Sequence, residues 1–233
     1  VLLQLLQNTH DLSGPLTVSA PSTLSIGLLR PIWREFVGRY PQIALNMQFS
    51  DQTIELHQQQ VDLAIRIGPQ PDSELYQQRL GRVRTGLFIG KGLANTLRQQ
   101  GMLPVSPRRL NQCRLVVFDN IAVWRMNNGQ EEAEVHPKAA TRVNNIRMAL
   151  ELVAHDLGIS MLPYSEVGDA IRDGLVEPLL PQWRGPLRDI YALWPDGKLL
   201  TARARLLRDF LRDRIAVIPQ LQGELPPTPD EAG

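Results

Sequence analysis

Two small α/β lobes are predicted for this 233-residue chain, and three observations predict them. The strings VDLAIRIG at 61–68 and DLGISMLP at 156–163 are short apolar runs closed by Gly or Pro, the pattern of a strand buried in a parallel sheet. Each follows a stretch with helical character, so each reads as the second half of a crossover unit. A hydrophobic content of 43% supplies one large core or two compact ones. Two lobes leave a cleft between them, and small molecules bind at the carboxyl ends of parallel strands.

Residues 1–8 (VLLQLLQN) are helix-like, and Gly14 with Pro15 ends them, as if a helix arrives from an upstream part. The chain opens without Met, which fits an upstream part having been removed. Residues 16–20 make a short strand. Pro21, Ser22 and Thr23 then open a helix running to about Arg39, because Ser and Thr oxygens cap free backbone N–H groups. Leu24, Leu28, Ile32 and Phe36 form its apolar stripe, and Leu29, Trp33 and Val37 widen the stripe toward a second contact surface. Pro41 breaks the helix, residues 43–49 form a second strand, and Ser50, Asp51, Gln52 and Thr53 lead into a shorter helix before Val61. The first lobe therefore reads β-α-β-α-β.

The second lobe begins near residues 85–89, with a strand at 115–118 inside it. The polar stretch 124–137, containing Asn127, Asn128 and Gly129, is predicted to be a hairpin. Asn144 and Asn145 start a helix that carries Ile146, Leu150, Val153 and Leu157 at helical spacing. A strand at 189–194 and an Arg-rich helix at 201–217 follow. If that strand returns to the first lobe, the chain crosses the cleft twice. The last stretch, rich in proline and poor in apolar residues, is predicted to be a disordered tail within 219–233.

Several function classes are disfavoured. A net charge of +1 gives no concentrated basic surface of the kind that grips nucleic acid. One cysteine, Cys113, makes no intramolecular disulfide and suits a reducing compartment. Apolar runs fall short of the ~20 residues of a membrane span, and no secretory-type opening is present, so no membrane partner is expected. His10, His57, His136 and His155 lack metal-ligand spacing, and one Cys builds no thiolate site, so neither metal nor cofactor is expected. No Gly-x-Ser-x-Gly and no phosphate loop occurs, and the chain reads as not an enzyme. Cys113, beside Arg114 and an apolar strand, is a redox sensor or, more commonly for such a residue, buried packing. Arg203, Arg205, Arg208, Arg212 and Arg214 alternate with Asp209 and Asp213, which favours a solvated helix face over a phosphate-binding one.

A binding site is expected where strand ends meet helix starts, because unpaired N–H groups there attract polar or anionic atoms. Ser22, Thr23, Ser50, Asp51 and Gln52 occupy that edge in the first lobe, and Asn144 and Asn145 in the second. Taken singly, each also reads as a helix cap. Arg66 either pairs a ligand carboxylate or makes a buried salt bridge with Asp62 or Asp51, and the salt bridge is slightly favoured. Asp51 argues against a strongly anionic ligand unless Arg66 offsets it. Phe118 packs on an aromatic or apolar ligand body, or simply in the core.

The ordered set Leu16, Val18 and Ala20; Leu29 and Pro31; Phe36, Tyr40 and Pro41; Ser50 and Asp51; and VDLAIRIG resembles the effector-binding domain of LysR-type transcriptional regulators. It continues through Asp72, Ser73 and Leu75; Arg79 and Leu80; Gly101, Pro107, Leu110 and Cys113; Arg142, Val143, Asn144 and Asn145; and Leu157, Gly158, Ile159, Leu162 and Pro163. Two departures stand out: GKGL at 90–93 replaces a Ser-Pro-x-Tyr-Leu loop, and His155 with Asp156 precedes Leu157 where a small residue and Gly are usual. The resemblance implies a periplasmic-binding-protein-like type II fold, with two α/β lobes joined by two crossing strands and a ligand cleft between them. It implies residues 1–13 as the end of a linker helix, 14–84 with 188–218 as lobe I, and 85–187 as lobe II. The implied partners are a small-molecule inducer, either an organic acid or an aromatic metabolite, DNA through an N-terminal helix-turn-helix outside this chain, and RNA polymerase. It also implies a bacterial, cytoplasmic homodimer or homotetramer in which Leu29, Trp33 and Val37 lie against Ile146, Leu150 and Val153 of the partner copy. A solute-binding receptor of a transport system, or an enzyme on the same two-lobe fold, remains the alternative.

Overall fold

The computed structural model describes residues 12–51, 60–69, 75–118, 122–195 and 199–227. The linker stub at 1–8, the short helix before Val61, and Gln52, Thr53, Asp72, Ser73, His10 and His57 lie outside those residues. Contacts divide the chain into two compact units, with breaks after Arg82, Leu187 and Gln222.

In the first unit, strand β1 (Gly14–Ala20) pairs in parallel with β2 (Ile43–Phe49) on one side and with β3 (Leu63–Ile67) on the other. The last part of β10 (Val176–Pro195) returns antiparallel to β3, with Ile190 opposite Ile67 and Leu193 opposite Ala64. Leu63, Ala64 and Ile65 are wholly buried in succession, so β3 is covered on both faces, which its unbroken apolar run anticipates.

The single helix expected from Ser22 to Arg39 is two helices, α1 (Ser22–Ile26) and α2 (Arg30–Arg39). Pro31 has no N–H to give to the preceding turn, and the chain bends through Gly27, with the Leu29 N–H reaching back to the Leu24 carbonyl at 3.1 Å. Helix α2 packs on α6 (Ala202–Ile215), where the Phe36 and Phe210 rings meet edge to face at 5.3 Å. Arg214 of α6 donates two hydrogen bonds to Glu35 of α2, at 3.0 and 2.5 Å. The second contact surface foreseen on this helix is therefore met, at least in part, inside the molecule.

In the second unit, the last part of β4 (Leu75–Gly90) runs antiparallel to β9 (Ile159–Pro163), which lies parallel to β5 (Leu115–Phe118), and β5 lies parallel to β8 (Ala139–Val143). Both faces of this sheet are covered: Leu87 and Ile89 of β4 enter one core and Phe88 enters the other. The hairpin predicted at 124–137 is formed by β6 (Trp124–Asn127) and β7 (Glu132–Val135), with Asn128 Oδ1 accepting the Gln130 and Glu131 N–H groups in the turn. Helix α4 (Ile146–Ala154) follows Asn145 as expected.

Two elements are absent from the sequence reading. The loop expected at 90–93 is the start of helix α3 (Lys91–Gln99), and α5 (Tyr164–Arg172) follows β9 directly. The two departures from the family pattern explain α3 together. Asp156, held at φ 62°, sends its Oδ1 to the Leu93 N–H at 2.7 Å and supplies a cap that Gly90 lacks. A Cβ on Gly90 or Gly92 would come within 2.2 Å of the Asp156 carboxylate oxygens, so the capping aspartate needs glycine at both positions. The tail is also corrected near its start: Pro219–Leu221 forms a short 3-10 turn and Leu221 is wholly buried, its carbonyl 2.5 Å from where a Gly81 Cβ would stand. One leucine with a receiving glycine is enough to fasten a segment whose composition is otherwise that of a free tail.

Candidate functional site

The parallel strands of the first unit end on one edge. Ala20 of β1 stands opposite Phe49 of β2, and the Ser50 N–H donates to the Ala20 carbonyl at 3.1 Å. Helix α1 starts there behind Pro21, which offers no side-chain cap. Asp51 supplies it from across the edge: Oδ1 accepts the Thr23 N–H at 3.1 Å and Oδ2 accepts the Thr23 hydroxyl at 2.9 Å. Four sequence-predicted residues, Ser22, Thr23, Ser50 and Asp51, are thus gathered at one place. Thr23 and Asp51 are tied to each other, which is the capping role weighed for them above.

Arg66 has neither of the acid partners considered for it. Asp62 accepts the Thr17 N–H at 2.8 Å and Asp51 is taken by Thr23. The guanidinium of Arg66 instead donates to the Ser19 hydroxyl at 3.0 Å and to the Ile65 carbonyl at 2.8 Å, both neutral acceptors. Burial pushes its pKa below the usual arginine value, and among the described residues no carboxylate pairs with it. The favoured salt bridge is replaced by a half-buried cation that a ligand carboxylate would neutralise.

In the second unit, Phe118 at the end of β5 stands opposite Val143 at the end of β8, and Asn144 and Asn145 follow. The Asn145 side chain caps α4, its Oδ1 accepting the Arg147 and Met148 N–H groups at 2.9 and 3.1 Å. That role leaves Asn144, which is exposed, as the residue of the pair open to a ligand. An open cavity of about 950 Å³ lies here, lined by Arg142, Asn144, Asn145, Arg147, Met148 and Glu151 among others. The two arginines were not singled out as site residues, although both flank the Asn pair that was.

The residues expected at a dimer face differ in exposure within the single chain. Leu29 and Val153 are wholly buried and Trp33 is 5% exposed, because Trp33 lies against Phe49 at 6.1 Å while α2 packs on α6. Ile146 and Leu150 are half-buried, and Val37, 46% exposed, keeps an open apolar side chain. Cys113 is half-buried against an apolar core, and burial raises its thiol pKa. On α6, Asp209 and Asp213 neutralise Arg208 and Arg212 within the helix. Among the described residues no helix is long and apolar enough to cross a membrane, and no three of His, Cys, Asp or Glu gather to hold a metal ion.

Comparison with known proteins gives a consistent result. Residues 9–216 match the family model described as LysR substrate binding domain. The HTH-type transcriptional regulator PtxR of Pseudomonas aeruginosa is 29% identical over 211 residues, covering 89% of this chain and 66% of the relative. A second HTH-type transcriptional regulator, from Xanthomonas campestris pv. campestris, is 28% identical over 214 residues, covering 87% and 61%. The chain therefore spans about three fifths to two thirds of the length of these relatives. Among solved structures, the full-length Vibrio cholerae virulence activator AphB superposes with a TM-score of 0.76 at 24% identity, over 91% of this chain and 73% of that one. The regulatory domain of CrgA from Neisseria meningitidis gives 0.74 at 24% identity, over 86% and 98%. At these identities the structures share the fold.

Proposed function

The chain belongs to the LysR substrate-binding domain family, and from that premise we propose that it is the effector-sensing and pairing part of a DNA-binding transcriptional regulator. The family has the periplasmic-binding-protein-like type II fold. Residues 14–84 with 188–218 act as one lobe and 85–187 as the other. The observation that carries the reading is the polar edge at which the parallel strands of each unit end. It holds Ser22, Thr23, Ser50, Asp51 and Arg66 in the first unit and Phe118, Asn144 and Asn145 in the second. The ligand is an organic acid, for which Arg66 of the first unit offers a cation, or an aromatic metabolite, for which Phe118 of the second offers a ring. The transport-receptor reading, open at the level of sequence, finds no support in this family.

Regulation follows from pairing and from DNA contact elsewhere in the full protein, which works in the cytoplasm as a homodimer or homotetramer with RNA polymerase as a further partner. The apolar surface left for pairing is Val37 on α2 with Met47 and Phe49 on the edge strand β2, and Ile146, Met148 and Leu150 on α4. A gel shift at physiological salt tests the division of labour. This chain alone gives no sequence-specific retardation, because a net charge of +1 supplies no phosphate-gripping surface. The chain joined to a helix-turn-helix domain retards its operator; specific retardation by the chain alone overturns the reading.

A further inference from the structure

In the second unit, two arginines that have no acid partner among the described residues surround a buried tyrosine. Strand β4 sets Thr85 opposite Pro163 of β9, and the next step of that register brings Arg84 beside Tyr164, the first residue of α5. Gly86 makes room for the phenol: a Cβ there would stand 2.6 Å from the ring and 3.0 Å from its hydroxyl. The ring is 3% exposed and meets Phe88 edge to face at 6.1 Å, so it lies on the face of β4 that also carries Arg84. Gly185 of β10 turns toward Thr85 and Met161 on the opposite face, and strand alternation sends Arg184 to the side of Tyr164.

The donors there are unusually free. Arg84 Nη1 donates to the Gly185 carbonyl at 3.3 Å, while its buried Nε has no partner. Among the described residues no carboxylate pairs with Arg84 or Arg184. Helix α5 begins behind Pro163 with no side-chain cap, so its first N–H groups lie at the same point, while Glu166 of its first turn is set 4.0 Å from Arg147 of α4. Burial raises the Tyr164 pKa and the two guanidiniums counteract it, which leaves the phenol protonated and able to donate at neutral pH. With Nη1 bonded to the Gly185 carbonyl, the buried Nε–H of Arg84 is a charged donor left unmet among the described residues, and an oxyanion would satisfy it.

We propose that Arg84, Arg184, Tyr164 and the start of α5 form an oxyanion subsite, taking the carboxylate or phosphate-type group of a small molecule. That the occupant is the effector rests on the reading above; the subsite itself rests on the geometry.

Melting temperature and calorimetric titration with sodium phosphate and with sodium acetate, each against sodium chloride at matched ionic strength, test it. The wild-type chain is stabilised by one or both oxyanions beyond chloride, and the tighter of the two identifies the class of head group. Arg84→Gln weakens that binding by about tenfold or more, the scale of a lost charge-assisted pair. Arg184→Gln and Tyr164→Phe weaken it several-fold, and Arg125→Gln, on the exposed hairpin, leaves it unchanged. Arg184 is exposed, so its variant decides the matter if Arg84→Gln does not fold. No gain over chloride in the wild type, or equal binding in every folded variant, overturns the proposal. Failure here alongside effector binding that responds to Ser22→Ala and Asn144→Ala removes the subsite and leaves the sensing function standing. The reverse pattern keeps the subsite and removes the function.

Discussion

Asp156 joins two parts of the second unit through one carboxylate, closing the start of α3 from the turn that follows α4. Asp156→Ala is expected to lower stability by about 1 kcal/mol, the usual cost of a lost N-cap, seen as a lower urea midpoint at unchanged slope. Asp156→Asn retains most of that stability, because Asn tolerates positive φ and still accepts the Leu93 N–H. Equal midpoints for wild type and Asp156→Ala would show that the cap contributes nothing. At Cys113 the raised thiol pKa leaves less thiolate at neutral pH, so maleimide labelling at pH 7 runs slower than for a free cysteine. Faster labelling would point to a reactive thiol. Polar residues at helix starts were legible as candidates from their type and position. Whether each caps or binds was not, because that depends on acceptors distant in sequence: Asp51 reaches Thr23 across 28 residues and Asp156 reaches Leu93 across 63.

Helices α2 and α6 are held together by the Phe36 and Phe210 rings and the Glu35–Arg214 pair. The hydrogen bond from Arg214 holds the Glu35 carboxyl below its ordinary value. A carboxyl depressed by folding contributes stability above its unfolded pKa, and that contribution disappears as pH falls through the folded one. Glu35→Gln is therefore expected to lower stability at neutral pH, with the gap to wild type closing in the acid range below the ordinary carboxylate pKa. A gap that widens on acidification contradicts the assignment; Arg214 stays charged throughout and adds no pH dependence of its own. The period-2 and helical patterns located β2, β3, β5, β9 and α4 well. Elements that break a local rule escaped notice. Helix α5 opens behind Pro163 without a capping side chain and contains Gly168, and α3 carries Gly92 in its first turn. Strand β10 continues through Pro178, Pro181 and Pro186, residues that ordinarily end a strand, so only its end at 189–194 was recognised.

At the scale of the whole molecule, the ordered series of family residues was readable because it spans most of the chain, and it led to the fold before any contact was known. A wide apolar stripe does not say whether its second neighbour is another helix of the same chain, and here Leu29 and Trp33 are buried within the chain while Val37 stays open. Trp33→Ala should accordingly destabilise the monomer by about 3–5 kcal/mol, as truncation of a buried aromatic does. Val37→Glu should leave the fold intact and shift sedimentation toward monomer; a paired Val37→Glu variant places the interface elsewhere. The central claim is that this chain senses a small molecule at the strand ends of its two units. Calorimetric titration of an organic-acid or aromatic metabolite found by melting-temperature screening tests it most directly, using wild type, Ser22→Ala and Asn144→Ala. Saturable binding weakened by about 1–2 kcal/mol in each variant, with melting of the free proteins unchanged, is the predicted result. Full affinity in both folded variants would contradict it.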